Sequence, residues 1–107
     1  MHIELSTAAL RDLESIGDYI AQDNPQRAKS FMGELRDQCV KIAKSPQAYR
    51  LRSELGDGIR SCTYGSYVIF FREDQIMLRV LRIFHGSMDI ETRFGETQIS
   101  TTSKKTS

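Results

Sequence analysis

Three features of the sequence predict an α+β domain, with an N-terminal strand and a two-helix hairpin packed on a twisted antiparallel sheet. Residues 7–44 carry helical apolar spacing broken once, at a proline. Residues 59–84 are rich in β-formers and are cut by two short polar turns. Helices come first and strands follow, which suits helices layered on one face of an antiparallel sheet rather than alternating parallel units.

Each element has its own signal. Ile3 and Leu5 alternate with His2 and Glu4, predicting a short first strand. Ser6 or Thr7 can cap the next helix by accepting an orphan backbone N–H. In that helix Leu10, Leu13, Ile16 and Ile20 recur at three- and four-residue steps. It stops at Asp23-Asn24-Pro25, where Asn24 is a natural N-cap and proline starts a second helix well. Ala28, Phe31, Met32, Leu35, Cys39, Ile42 and Ala43 give that helix its apolar face, and Ser45-Pro46 ends it. Residues 46–58 read as a loop with a turn at Gly56-Asp57-Gly58. Strands are expected at 59–64, 67–72 and 76–84, joined by Gly65-Ser66 as a tight hairpin and by 73–75 as a second turn.

With 107 residues and 39% apolar content, one small core is the expectation, spanning residues 1–94. The last thirteen residues hold seven Ser or Thr and one aliphatic residue, and read as a flexible polar tail over 95–107. The net charge of +1 does not by itself indicate a nucleic-acid binder. Four basic and no acidic residues lie between Lys41 and Arg52, whereas Asp12, Glu14, Asp18 and Asp23 gather on the first helix and its end. Cys39 and Cys62 read as buried reduced thiols of a cytoplasmic protein. Met1-His2-Ile3-Glu4 is no signal peptide, and the longest apolar run, 68–71, is far too short to span a membrane. No metal-ligand spacing, Gly-rich phosphate loop or nucleophile motif is present, so no metal or cofactor is expected.

Strand periodicity sorts the last strand into two faces, Leu78, Val80, Arg82 and Phe84 against Met77, Arg79, Leu81, Ile83 and His85. Both faces are apolar, as they are across 68–71, and two helices can cover one. The remainder suggests a groove for another chain. Chemistry, if any, centres on His85 and Arg82. Metal-free RNA cleavage needs a base, an acid and cations for the phosphate. His85 could move one proton, and Arg60, Arg79 and Arg82 could hold phosphate. A second proton-transfer group is not evident. The structural reading is preferred: Arg82 pairs with Asp89 or a carbonyl, and His85 caps the strand end.

The chain also resembles a known family. The pieces are the Ala9-x-x-Asp12-Leu13-x-x-Ile16-x-x-Tyr19-Ile20 run, the Asn24-Pro25-x-x-Ala28 junction and Ser45-Pro46. They continue with Arg60-Ser61, Gly65-x-Tyr67-Val68-Ile69-Phe70-Phe71-Arg72, Arg82-Ile83-Phe84-His85-Gly86 and Asp89-Ile90. In this order and spacing the sequence resembles the ParE toxins of bacterial toxin–antitoxin pairs, within the RelE/ParE superfamily. The resemblance implies a helix hairpin over a twisted sheet and a cognate ParD-like antitoxin. It also implies DNA gyrase as the target, trapped in its DNA-cleaving state without hydrolysis by the toxin. Direct sequence-specific nucleic-acid binding is not expected. RelE-type relatives share the fold but cut messenger RNA on the ribosome; on that alternative His85, Arg60 and Arg82 would be the catalytic set. The antitoxin is expected beside the sheet, on Leu51, Leu55, Val80 and Phe84, with acids meeting Arg50, Arg52 and Arg60. His85, Met88, Asp89 and Arg93 are the expected target contacts, Met88 standing where the family often has an arginine.

Overall fold

The computed structural model describes residues 2–87 together with Ile90 and Phe94. Strand β1 (His2–Leu5) leads into helix α1 (Thr7–Ala21) and helix α2 (Pro25–Lys44). A 3-10 turn (Pro46–Ala48) and strand β2 (Arg50–Leu51) precede the meander β3 (Ile59–Tyr64), β4 (Tyr67–Asp74) and β5 (Met77–His85). The five strands form one sheet in the order β1-β5-β4-β3-β2.

The local signals operate as expected. The Ser6 side chain accepts the Ala9 N–H at the start of α1, and Asn24 accepts the Arg27 N–H at the start of α2, with Pro25 in the first turn. Gly65 takes φ +58° in the two-residue hairpin, a backbone conformation strained for a residue bearing Cβ. Two expectations are corrected. The sheet is mixed, because β1 pairs parallel with β5 while the other pairs are antiparallel. The chain between β1 and the meander contains the helix hairpin, which supplies the crossover that a parallel pair requires. Residues 46–58 are not all loop, since Arg50 and Leu51 pair with Ser61 and Arg60 as an edge strand.

The core has two parts, one on each face of the sheet. Ile16, Phe31, Leu35, Cys39 and Ile42 from the helices pack on Cys62, Ile69, Phe71, Leu78, Val80 and Ile83. On the opposite face Leu55, Ile59, Phe70, Phe84 and Phe94 form a second cluster, flanked by Val68, Leu81 and Ile90. Burying a phenylalanine such as Phe70 or Phe71 contributes about 2–3 kcal/mol.

A bulge divides β5 between these two clusters. Phe70 pairs with Arg82 and Phe71 with Val80, leaving Leu81 as the extra residue. One added residue exchanges the faces of everything after it. Leu78 and Val80 therefore face the helices, and so does Ile83, whereas Phe84 joins the far cluster. The strict two-face sorting of β5 is overturned, and Val80 and Phe84 do not share a face.

Beyond Val80, β5 outruns β1, whose last pair is Leu5 with Val80. Helix α1 takes the place of a strand there. The Ser6 N–H donates to the Val80 carbonyl and the Ser6 hydroxyl to the Leu81 carbonyl. Asp12 Oδ2 accepts the Ile83 N–H at 2.9 Å. The same carboxylate accepts from Arg82 Nε at 2.8 Å and Nη2 at 3.0 Å. Both side chains are largely shielded, 15% exposed for Arg82 and 13% for Asp12. Arg82 is thus held by α1, while Asp89, the partner expected from the sequence, lies outside the described residues.

Asp12→Ala is expected to cost about 3 kcal/mol in urea unfolding, since it removes the two-point ion pair of a shielded guanidinium and the acceptor of a strand N–H together. Asp12→Asn should lose less, because it keeps an acceptor for Ile83. Alkaline stability should also respond to the buried core. Burial pushes the Cys39 thiol from 9.0 up to about 11, and burial likewise raises Cys62, Tyr49 and Tyr67. The native chain holds these protons more tightly than the unfolded chain, so stability is retained below pH 9 and falls as pH rises towards 11. Cys39→Ala should flatten that fall in unfolding curves measured across this window.

Candidate functional site

The residues expected to hold an antitoxin do not form one open groove. Val80 is fully buried beneath the helices, and Leu55 and Phe84 are buried in the far cluster. Phe94 packs edge-on to Phe70 and Phe84, with centroids 5.3 and 6.4 Å away. The chain itself therefore covers the apolar strip that the sequence reading left open. Arg50 and Leu51 do stay exposed, on the edge strand β2. Arg52 lies over the Phe70 ring and is bound to Glu54 at 2.7 Å. Arg60 donates to the Tyr49 carbonyl at 2.8 Å.

Of the suspected nuclease residues, Arg82 and His85 line one cavity, and Arg60 and Arg79 do not join them there. His85 is in register with Tyr67, while Arg60 is in register with Phe71, four residues further along β4. That offset alone is ~13 Å at the rise of a strand. Arg79 sits towards the other end of β5 and pairs with Glu4 at 2.7 Å. Arg82 is committed to Asp12. His85 Nδ1 accepts the Ser87 N–H at 3.1 Å and lies 2.6 Å from the Ser87 hydroxyl. His85 therefore caps the end of β5, and in its neutral form the ring proton sits on Nε2. Its ring meets Tyr67 edge-on with centroids 5.3 Å apart. Met88, Asp89 and Arg93 lie outside the described residues.

An open concave surface among the described residues lies between the helix hairpin and the ends of β4 and β5. It is a cavity of about 900 Å3. Ile16, Ile20 and Phe31 come from the hairpin, Tyr67 from β4, and Ile83 and His85 from β5. Tyr19 stands at 69% exposure on its helical wall. Burial, and secondarily the neighbouring Tyr19, raise the Tyr67 phenol above its ordinary range. Arg27 lies over the Phe31 ring at 5.1 Å and binds Glu34 at 2.6 Å. Glu34 also accepts from the Tyr64 hydroxyl at 2.9 Å. These two hydrogen bonds, that of Arg27 first, hold the Glu34 carboxyl below the usual carboxylate range.

The sequence reading named Arg82, Phe84 and His85 on the β5 side of this cavity but not its other walls, although Ile16, Tyr19, Ile20 and Tyr67 all belong to the segments that carry the family resemblance. Their joint location depends on how the hairpin crosses the sheet. Among the described residues no cluster of His, Cys, Asp and Glu could hold a metal ion, and no helix is long and apolar enough to cross a membrane.

Comparison with known proteins gives a consistent outcome. Residues 3–90 match the model of the ParE toxin of type II toxin–antitoxin systems, parDE. The chain is 30% identical over 92 residues to Toxin ParE1 of Caulobacter vibrioides, covering 85% of this chain and 95% of that protein. Its fold is similar to the chromosomal ParDE toxin–antitoxin system of P. aeruginosa, with TM-score 0.68 and 22% identity over 79% of this chain and 95% of that one. It is also similar to the RelBE2 toxin–antitoxin complex of Mycobacterium tuberculosis, with TM-score 0.59 and 24% identity over 78% and 95% of the two chains. The isolated E. coli RelE toxin gives TM-score 0.58 at 12% identity, over 92% and 97%. The structural likenesses establish the shared fold.

Unequal burial within the expected antitoxin set is directly measurable. Phe84→Ala should destabilise the chain by about 3–4 kcal/mol in urea unfolding, because it opens a cavity under Phe94. Leu51→Ala, at 47% exposure, should change stability by less than about 0.5 kcal/mol in the same measurement.

Proposed function

This chain belongs to the ParE toxin family of type II toxin–antitoxin systems, and on that premise we propose that it is a non-catalytic inhibitor of DNA gyrase. In this reading it acts in the bacterial cytoplasm and is neutralised by a cognate ParD-like antitoxin. The observation that carries the non-catalytic part is the employment of the candidate catalytic groups. Arg60 serves a backbone carbonyl, Arg82 serves Asp12, and His85 serves the end of its own strand. An acid–base and phosphate-binding constellation needs such groups aimed at one reacting centre within hydrogen-bond reach. Here they are spread along two strands and turned to protein partners.

The end of β5 is the surface proposed to touch the target, with His85 as its described member and Met88, Asp89 and Arg93 as the adjoining candidates. The fold likeness to RelE supports one alternative, a ribosome-dependent messenger RNA endonuclease using His85, Arg60 and Arg82. An antitoxin partner is supported by family membership and by the toxin–antitoxin systems named for the similar structures.

Incubating the purified protein with gyrase, supercoiled plasmid and ATP separates the two. Protein-dependent trapped double-strand cleavage is the expected result. Intact plasmid, combined with cleavage of ribosome-bound messenger RNA that disappears in His85→Ala, would overturn the gyrase reading in favour of the nuclease.

A further inference from the structure

We propose that the outer face of α2 is a seat for the phosphate backbone of duplex DNA, contacted without regard to sequence. This rests on the gyrase reading above, since that target works on a DNA duplex. The charge of the helix hairpin is divided between its two helices. Glu14 and Asp18 stand exposed on α1 against the single cation Arg11, and Asp23 lies just beyond its end. The exposed cations of α2 are Arg27, Lys29, Arg36, Lys41 and Lys44. Arg27 is bound to Glu34 at 2.6 Å. Among the described residues no ion pair takes up the other four. Lys29, Arg36 and Lys44 recur at helical spacing, which keeps them on one face, turned away from the buried Phe31, Leu35, Cys39 and Ile42. Together they mark out a row of about 22 Å along the helix.

The acids of α2 do not cancel this row. Glu34 is held by Arg27 and by the Tyr64 hydroxyl. Asp37 lies one helical turn before Lys41 and offsets that flank. The helix dipole accounts for Lys41 and Lys44, which sit in the last turn. It does nothing for Lys29 or Arg36, which lie well before it. Composition chooses the occupant. Val40, at 45% exposure, is the exposed large apolar side chain of α2. A protein partner would be centred on a cluster of apolar anchors. A membrane surface would take up an apolar helical face, and that of α2 is already packed in the core. A phosphate backbone asks for neither, because an evenly charged rod is held by cations alone and such contacts read no bases. The exposed acids of α1 repel the same polyanion, which confines the contact to α2.

The purified toxin should bind a short labelled DNA duplex in fluorescence anisotropy at low salt, with log K falling against log salt at a slope of about −3 to −4. The double variant Lys29→Gln/Arg36→Gln should lower that slope by about 2 and weaken binding roughly tenfold, with an unchanged melting curve. Glu14→Gln, on α1, should not weaken binding. Lys104→Gln/Lys105→Gln, beyond the described residues, should leave it unchanged. No binding to the duplex, or full binding by Lys29→Gln/Arg36→Gln, would overturn the proposal. Trapped cleavage by gyrase is read separately, so the gyrase reading stands or falls on its own assay. Loss of binding in Lys104→Gln/Lys105→Gln alone would overturn the α2 seat in favour of the chain's own end. Tighter binding of an RNA duplex would overturn the choice of DNA in favour of RNA. Polyglutamate that competes as strongly as the duplex at equal charge would overturn it in favour of an acidic protein.

Discussion

The Asp12 carboxylate stands in for a missing strand. β5 is the longest strand of the sheet, and β1 accompanies it only as far as Val80. The rest would be a bare edge with unpaired backbone groups, a costly arrangement where it borders a core. Ser6 and Asp12 satisfy that edge from the helix side, and Asp12 uses the same oxygen for the Ile83 N–H and the Arg82 guanidinium. Secondary structure and tertiary packing are joined at one residue. The same residue fastens α1 to β5 on the wall of the cavity between the hairpin and the end of β5.

The bulge at Leu81 is the second constraint. It lets one strand supply Leu78, Val80 and Ile83 to the helix-side core and Phe84 to the far core. A regular strand would have placed Ile83 and Phe84 on the reverse faces. The change of register also brings Arg82 over the Phe84 ring, at 4.3 Å, while its guanidinium reaches Asp12. A cation that could have served a ligand is thereby stacked and paired inside the protein, where it stabilises the fold.

Much of the fold was legible because its signals are local. Ser6, Asn24-Pro25 and Gly65 each act within a few residues, and the apolar spacing of α2 names its buried face directly. The antiparallel meander followed from its turns. Three features were illegible for one reason, that each depends on residues far apart in sequence. The parallel pairing of β1 needs the whole hairpin as a crossover. The bond of Asp12 to Arg82 spans 70 positions. The bulge has no glycine or proline to announce it, so strand periodicity ran through Leu81 and misplaced Val80 and Phe84. The candidate site suffered from the same error. An open groove was assigned to residues that the bulge divides between two cores, and the cavity was named only along its β5 wall, by Arg82, Phe84 and His85, because its helical wall reads as ordinary helix positions.

The cavity between the hairpin and the end of β5 shares its wall with the Asp12–Arg82 contact. Asp12 and Arg82 both line it, so the ion pair that fastens α1 to β5 is also part of the concave surface. His85 lies both at the rim of the cavity and at the tip of β5, the surface proposed to meet the target. Its ring is set edge-on against Tyr67 of the neighbouring strand, so the rim is built from the paired ends of β4 and β5. A substitution that loosens the Asp12–Arg82 pair therefore disturbs the completion of the sheet and the shape of the cavity together, because both depend on the same few atoms.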